Sequence, residues 1–144
     1  MSYTNLGNQN SIFNTFIAEL RDTSVQTDAM RFRRNLERLG EITAYEISKT
    51  LNYKTTEVTT PLGISKVNLP ENDVVLITIM RAGLPYHQGF LNYFDKAENG
   101  FIGAFRNTKE DHSFSIESDY LACPSIEGKT VINSRLYFLK LYLL

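Results

Sequence analysis

The sequence has little cysteine, no tryptophan and no long apolar run. Among its 144 residues there is one cysteine, Cys123, and no tryptophan. A single cysteine has no partner for an internal disulfide bond, so we expect a reducing cytoplasm as the compartment. Its neighbours, Ala122 and Pro124, predict a buried and inert thiol. No apolar run approaches the roughly 20 residues of a membrane span, and residues 1–10 lack the pattern of a secretory signal.

An excess of positive charge is also absent. The chain has 15 Lys and Arg residues against 16 Asp and Glu residues, a formal net charge of -1. Because nucleic-acid interfaces are normally strongly basic, we expect no nucleic-acid partner. No G-x-G-x-x-G run and no P-loop lysine motif occurs, which argues against two common nucleotide-binding designs. His87 and His112 have no second ligand at metal spacing, so we expect no metal site and place His87 on a helix surface or in partial packing.

Apolar spacing predicts alternating helices and strands, which is typical of an α/β fold. Ser11 is the predicted cap of a first helix, and a second helix is predicted from about residue 28 to residue 51. Residues 107–122 are expected to form an antiparallel excursion. The predicted strands are residues 57–60, 74–79, 101–105, 114–117, 120–123 and 129–132, with residues 69–73 as a polar connection.

Four arginines on the second predicted helix raise the alternative of a phosphate patch. Glutamates lie three or four residues from them, which is the spacing of helical ion pairs. A solvated, salt-bridged face is therefore the favoured interpretation. The arginines are Arg31, Arg33, Arg34 and Arg38, and the glutamates are Glu37, Glu41 and Glu46.

The most informative stretch is residues 74–89, which read VVLITIMRAGLPYHQG. Its first six residues are apolar or β-branched, which suits a strand buried on both faces in a parallel sheet. Arg81 and Gly83 follow at the carboxyl end of that strand, where ligands bind in open α/β sheets. Residues 84–94 are long enough for a helix. This strand, loop and helix predict an anion site.

This stretch, with several others in the same order, resembles the uracil phosphoribosyltransferase family. I-M-R-A-G-L-P at residues 79–85 resembles the family's I-L-R-A-G-L segment, and V-T-T-P-L-G at residues 58–63 resembles its V-T-P-L-G strand and turn. I-G-A-F-R at residues 102–106 resembles its I-G-hydrophobic-Y-R strand. The other similar segments are residues 31–46, 120–124 and 128–132, so that the resemblance covers about residues 10–132.

The resemblance implies a phosphoribosyltransferase-type fold, a doubly wound and mostly parallel sheet with flanking helices and an antiparallel hairpin. It implies a transferase that makes UMP and diphosphate from uracil and 5-phosphoribosyl 1-diphosphate (PRPP), in pyrimidine salvage. The implied cofactor is Mg²⁺, bound through the oxygens of the substrate diphosphate. The implied partners are these small molecules. The charge and hydropathy given above predict no nucleic-acid or membrane partner. A homodimer is a further expectation, because long amphipathic helices such as the second one often form dimer contacts.

The resemblance also implies which residues hold the diphosphate of PRPP. Arg81 and Arg106, each at the end of a predicted strand, match the family's two diphosphate arginines. Arginine offers bidentate donors to anionic oxygens. Ala82 and Gly83 are expected to keep the backbone close to the ligand. The pattern alone leaves an ordinary loop arginine in a surface ion pair as the alternative, and it predicts neither a catalytic side chain nor a metal ligand.

The resemblance stops after Ile132. The family continues from this strand into an Asp-Pro-Met-Leu-Ala-Thr-Gly loop around the 5-phosphate and ribose, whereas this chain continues Asn-Ser-Arg-Leu-Tyr-Phe. We therefore expect an incomplete domain truncated at its C-terminus (residues 1–132), a divergent apolar tail (residues 133–144) and little or no transferase activity. A non-catalytic subunit or regulatory binder of the same fold stays open, as does an unrelated α/β binding module. Whether the tail is a frameshift product or a real cap also stays open.

Overall fold

The computed structural model describes residues 4–108 and 114–134, with the backbone alone for residues 106–108 and 114. His112 and residues 135–144 of the expected tail lie outside the described residues. The helices and strands are, in chain order, α1 (Ile12–Arg21), α2 (Ala29–Ser48), β1 (Tyr53–Thr60), β2 (Gly63–Pro70), β3 (Val74–Met80), α3 (Leu84–Leu91), β4 (Glu98–Thr108), β5 (Phe114–Ala122) and β6 (Thr130–Asn133). A 3-10 turn, Leu6–Asn8, precedes α1.

The strands form a two-stranded hairpin, β1–β2, and a four-stranded sheet in the order β5-β4-β3-β6. Strand β3 runs parallel to β4 on one side and to β6 on the other. Strand β5 pairs antiparallel with β4, with an irregularity between Gly103 and Ala104. This parallel core with flanking helices and an antiparallel edge confirms the α/β architecture expected from the sequence.

Two glycines allow α2 and α3 to pack with their backbones almost in contact. A Cβ atom added to Gly40 would overlap the carbonyl oxygen of Tyr86, and one added to Gly89 would overlap that of Glu37. Overlap with rigid backbone cannot be relieved by rotating a side chain, so only glycine fits at both positions. The close packing fixes α3 against the rest of the fold.

The core joins α2 and α3 to the middle of the sheet. One buried cluster contains Ala44 of α2, Leu76 of β3, Phe90 of α3 and Ile132 of β6. A second cluster lies between α1 and α2 and contains Leu20, Leu36 and Leu39. Burying a large apolar side chain stabilises the fold by about 1.5–3 kcal/mol. The first cluster therefore holds the start of α3 at the carboxyl end of β3.

Helix boundaries agree with the sequence apart from their ends. The carboxylate of Asp28 accepts hydrogen bonds from the backbone N–H groups of Met30 and Arg31 and so caps α2. The helix therefore begins at Ala29, one residue after the predicted start. The helix ends at Ser48, three residues before the predicted end. Ser11 occupies the N-cap position of α1, as predicted, but its side chain makes no capping hydrogen bond. None of the described helices is long and apolar enough to cross a membrane.

The strand boundaries differ more from the predicted ones, because pairing with a neighbouring strand, and not the local sequence pattern, determines where a strand begins and ends. Strand β2 was not predicted, since all of its side chains are exposed and leave no burial pattern in the sequence. Strand β4 is longer than predicted and continues to Thr108, so Arg106 lies within the strand and not after it. The predicted short strands at residues 114–117 and 120–123 are one strand, β5, because it pairs with β4 over its length.

Candidate functional site

The carboxyl ends of the parallel strands meet at one edge of the four-stranded sheet. Strand β3 ends at Met80, and the three residues that follow, Arg81–Gly83, form the turn into α3, which we call the arginine loop. The backbone N–H of Leu84 donates to the carbonyl oxygen of Arg81 at 3.2 Å, which closes the turn. The peptide bond between Met80 and Arg81 is cis. The predicted order of strand, arginine loop and helix is therefore present.

The guanidinium of Arg81 is exposed at this edge. It makes no ion pair or side-chain hydrogen bond with any residue in 4–108 or 114–134. Within that part of the chain, the alternative of an ordinary surface ion pair is not observed. Its five donors are therefore without a described counter-charge, which is the condition an incoming anion needs.

Gly83 is buried where the arginine loop meets the end of β3. Its backbone is in the ordinary helical region, with φ -73° and ψ -14°. An added Cβ would lie 2.6 Å from Oγ1 of Thr78 and 2.8 Å from the carbonyl oxygen of Ile79. Glycine therefore lets the arginine loop fold back on the end of β3. The expected approach of Ala82, which is exposed, and of Gly83 to a ligand stays a prediction.

The backbone of Arg106 lies on the neighbouring strand, beyond the same end of β3. Met80 pairs with Gly103 of β4, so Arg106 is three residues farther along β4. That separation corresponds to about 10 Å at the rise of an extended strand. The side chain of Arg106 is outside the described part of the structure. The two arginine positions thus occupy adjacent strands at one edge, and their convergence on a single diphosphate stays a prediction.

A polar cluster beneath the arginine loop, in which Thr78, His87 and Ser134 are buried and Asn99 is exposed, was missed by the sequence analysis. His87 of α3 is only 3% exposed, so its predicted position on a helix surface or in partial packing was wrong. Its Nδ1 lies 2.9 Å from Oγ of Ser134, and its Nε2 lies 2.8 Å from Oδ1 of Asn99. Oγ1 of Thr78 donates to the carbonyl oxygen of Ser134 at 3.3 Å. We call Thr78, His87, Asn99 and Ser134 the His87 cluster.

The hydrogen-bond partners of His87 indicate which ring nitrogen carries a proton. The side-chain amide nitrogen of Asn99 donates to the carbonyl oxygen of Ala97 at 3.2 Å, so its Oδ1 faces the ring as an acceptor. Nε2 therefore carries a proton. In the neutral ring Nδ1 accepts from the hydroxyl of Ser134, which also has the carbonyl oxygen of Ile77 within 3.3 Å as a competing acceptor. Burial lowers the pKa of His87, and the hydrogen bond with Asn99 opposes that shift. A neutral ring is thus fully satisfied in this position.

A signal for the burial of His87 exists in the sequence. Gly83, His87 and Phe90 are buried and recur at three- and four-residue spacing, which places them on one face of α3. The other two residues of that face are a glycine and an aromatic residue. His87 therefore lies in the middle of the face that packs on the sheet.

Cys123 is exposed, and its predicted burial was wrong. It follows β5, which is an edge strand and has only one neighbour in the sheet. An apolar pair of sequence neighbours does not bury a residue that leaves the edge of a sheet.

Two of the four arginines of α2, Arg31 and Arg34, make ion pairs, as predicted for this face. Arg34 contacts Glu37 at 2.7 Å, and this hydrogen bond lowers the pKa of Glu37. Arg31 contacts Glu19 of α1 at 3.3 Å. The guanidinium of Arg38 lies 5.1 Å from the ring centroid of Phe16. The contacts of Arg31 and Arg38 join α1 to α2. Arg81 differs from these three arginines and resembles Arg33, which also has no ion pair among the described residues.

Comparisons with known proteins agree with this geometry. The family model described as uracil phosphoribosyltransferase matches residues 8–125. A uracil phosphoribosyltransferase of Porphyromonas gingivalis is 49% identical over 134 residues, covering 93% of this chain and 62% of the relative. One from Methanothermobacter thermautotrophicus is 37% identical over 107 residues, covering 73% of this chain and 49% of the relative.

A solved structure agrees as well. A protein of Aquifex aeolicus superimposes with a TM-score of 0.70 at 29% sequence identity, covering 87% of this chain and 58% of that one. In both comparisons the chain spans about three fifths of the matching protein, 62% of the Porphyromonas gingivalis relative and 58% of the Aquifex aeolicus chain. The matched residues include the strand, the arginine loop and the helix described above. The chain belongs to the uracil phosphoribosyltransferase family.

Proposed function

We propose that this chain serves uracil phosphoribosyl transfer and that its arginine loop holds the diphosphate of PRPP. The observation that carries the proposal is the exposed guanidinium of Arg81 at the carboxyl end of β3, without a counter-charge among the described residues. Family membership supplies the reaction, in which uracil displaces diphosphate from PRPP to give UMP.

The chemistry explains why an arginine is needed at this place. As the bond between the ribose and the diphosphate breaks, negative charge collects on the departing oxygens. A guanidinium that is already in position stabilises this charge more in the transition state than in the ground state. The proposed role of Arg81 is bidentate contact with those oxygens, with Arg106 on β4 as the second donor. The positive end of the α3 dipole adds to the attraction.

In this proposal Mg²⁺ arrives with the substrate. No group of three or more His, Cys, Asp and Glu side chains that would hold a metal occurs among the described residues. Mg²⁺ prefers oxygen ligands and keeps several waters, and the diphosphate of PRPP supplies such oxygens. Arg81 and Mg²⁺ would then neutralise different oxygens of the same group, which fits a loop with a cationic side chain and no carboxylate.

Calorimetric titration with PRPP in MgCl₂ tests the site. Arg81→Gln keeps a polar side chain and removes the charge. We expect it to lose about 10- to 100-fold in affinity, which corresponds to the roughly 1.5–3 kcal/mol of a hydrogen bond to a charged group. The matched control is Arg33→Gln on α2, which is exposed and should bind PRPP like the parent chain. Equal affinity in the parent and Arg81→Gln chains would refute the proposal.

We further propose that a polypeptide of these 144 residues binds PRPP but forms little UMP. The support is that the residues after Ile132 do not match the family's phosphate loop. Holding both reactants in line is worth about 7–11 kcal/mol of the barrier, and half a site does not provide it. A radiolabelled uracil assay measures this, and UMP formation at a rate normal for the family contradicts it.

A chimaera separates this proposal from a non-catalytic subunit of the same fold. Residues 1–132 would be joined to the remaining segment of the Porphyromonas gingivalis relative. We expect the chimaera to form UMP, since the proposed diphosphate site is already present. A well-folded chimaera without activity would favour the non-catalytic alternative.

A homodimer and a cytoplasmic location complete the proposal. Exposed apolar side chains on α2, those of Met30, Phe32 and Tyr45, support a second copy as the partner. Sedimentation that gives a monomer at tens of micromolar would speak against it. The exposed, unpaired thiol of Cys123 suits a reducing compartment, which cell fractionation tests.

A further inference from the structure

The His87 cluster connects α3 to the two strands that flank β3, with Asn99 near the start of β4, opposite Leu76 of β3. His87 lies on α3, Asn99 lies on β4, and Ser134 directly follows β6. The imidazole contacts the other two side chains at 2.8 and 2.9 Å. A single buried ring therefore bridges two strands on opposite sides of β3, and α3 carries it.

Ser134 continues this connection to the arginine loop. Its backbone N–H donates to the carbonyl oxygen of Ile77 at 2.8 Å, and its carbonyl oxygen accepts from Oγ1 of Thr78. The same Oγ1 atom would lie 2.6 Å from a Cβ on Gly83. A continuous path of contacts thus runs from His87 through Ser134 and Thr78 to the floor of the arginine loop. The backbone N–H of His87 also donates to the carbonyl oxygen of Gly83 at 2.9 Å.

Stability alone does not require a polar group in this position. Burying an imidazole costs desolvation free energy that an apolar side chain of similar size avoids. The cost is offset only while both ring nitrogens keep their partners, which requires α3, β4 and the residue after β6 to stand in one arrangement. The described residues leave no buried side-chain nitrogen or oxygen without a partner. The His87 cluster therefore specifies how α3, β4 and Ser134 are placed relative to one another.

We infer that His87 is a positioning residue, which sets the arginine loop against the residue that follows β6. The inference rests on the proposed function, because the loop is taken to hold the diphosphate of PRPP. His87 itself does not contact the ligand in this account. It fixes the distance between the arginine loop and Ser134.

Amide hydrogen exchange tests the positioning without any ligand. His87→Leu removes both ring contacts and leaves Ser134 and Asn99 without them. We expect exchange at the amides of Leu84 and Ser134 to accelerate about tenfold or more relative to the amides at the centre of β3. Phe90→Leu, on the same helix and in the apolar cluster, is the matched control and should accelerate all core amides together. An identical pattern in the two variants would refute the inference.

PRPP affinity provides the second readout, on the same variants. We expect His87→Leu and Ser134→Ala each to weaken PRPP binding several-fold. The double variant should bind PRPP as well as the single variant with the lower affinity, because both substitutions break the same connection. His87→Gln keeps a donor and an acceptor and should recover most of the affinity and the protection of Leu84. Phe90→Leu should bind PRPP like the parent chain while folded.

The two readouts separate the two proposals. A parent chain that does not bind PRPP overturns the proposed function, and the exchange pattern then still decides whether His87 positions the loop. A parent chain that binds PRPP, with His87→Leu binding as Phe90→Leu does, overturns the inference and leaves the proposed function intact.

Discussion

The hairpin β1–β2 and the four-stranded sheet contain similar strand-forming residues but bury them to opposite extents. Val75 and Leu76 of β3 are fully buried, whereas Ile64 of β2 is 71% exposed. Among the described residues, the hairpin does not pack on the four-stranded sheet, and it reaches the helices through the hydroxyl of Tyr53, which donates to the carbonyl oxygen of Ser48 at 2.9 Å. An isolated two-stranded hairpin is marginally stable in water. The candidate site therefore lies on the four-stranded sheet, which has an apolar core, and not on the hairpin.

The hairpin is specified by its turn and cross-strand pairs instead. Gly63 has φ +129°, a conformation that side chains other than glycine's rarely allow. The hydroxyl of Thr60 donates to the carbonyl oxygen of Gly63, and that of Thr55 donates to Oδ1 of Asn68 across the strands. Register is thus kept by polar contacts in the hairpin and by apolar packing in the sheet.

The largest expected effect comes from the helix contact that supports the sheet. Gly89→Ala would force a methyl group into the backbone of α2, and we expect a loss of about 3 kcal/mol or more in the free energy of unfolding. Urea denaturation measures it. The control is Gln88→Ala, an exposed position on the same helix, which should change stability by less than about 0.5 kcal/mol. A tolerated Gly89→Ala would mean that the helices are farther apart.

Truncation of matched residues compares the two regions directly. Leu76→Ala in β3 should cost about 2–5 kcal/mol, because it leaves a cavity in the core. Ile64→Ala in the hairpin should cost less than about 0.5 kcal/mol, because that side chain is exposed. Both are read from the same urea curves. Equal costs would show that the hairpin is packed in solution, for example against a second copy.

A turn substitution sharpens the comparison by acting on the hairpin alone. Gly63→Ala meets no neighbouring atom, so its cost is backbone strain of about 1–3 kcal/mol. Since the hairpin has no contact with the described core, we expect faster amide exchange in β1 and β2 with little change in β3. Exchange that rises equally in both regions would show that the hairpin unfolds with the sheet.

The smallest expected effect is a pH dependence of the sheet region. Burial lowers the pKa of His87, so the unfolded chain binds a proton that the folded chain resists. This contribution is fully present above the ordinary imidazole pKa of about 6.5 and is lost as the pH falls from there to the folded-state pKa. The parent chain should therefore lose more stability than His87→Gln between pH 7.5 and 5.5. Parallel curves for the two chains would contradict it.

The sequence predicted the parts of the site that depend on a strong local pattern. The unbroken apolar run before Arg81 identified β3, and the loop and α3 followed from it. Arg106 was misplaced at a strand end because the length of β4 depends on its pairing with β5, which is distant in the sequence. Strand β2 was missed because a fully exposed strand has no apolar alternation.

The His87 cluster shows a different reason for failure. Ser134 and His87 are 47 residues apart in the chain and meet only when β6 pairs with β3. No local pattern contains that information. Cys123 was placed in the interior from its two neighbours, although burial depends on which strand is at the edge of the sheet.

The most direct test of the account is amide chemical-shift mapping during titration with magnesium diphosphate. The account predicts shifts at Ala82, Gly83 and Leu84 and around Arg106 on β4, with none at Ile64 or Val67 of the hairpin. Shifts confined to the arginines of α2, or to the hairpin, would contradict it.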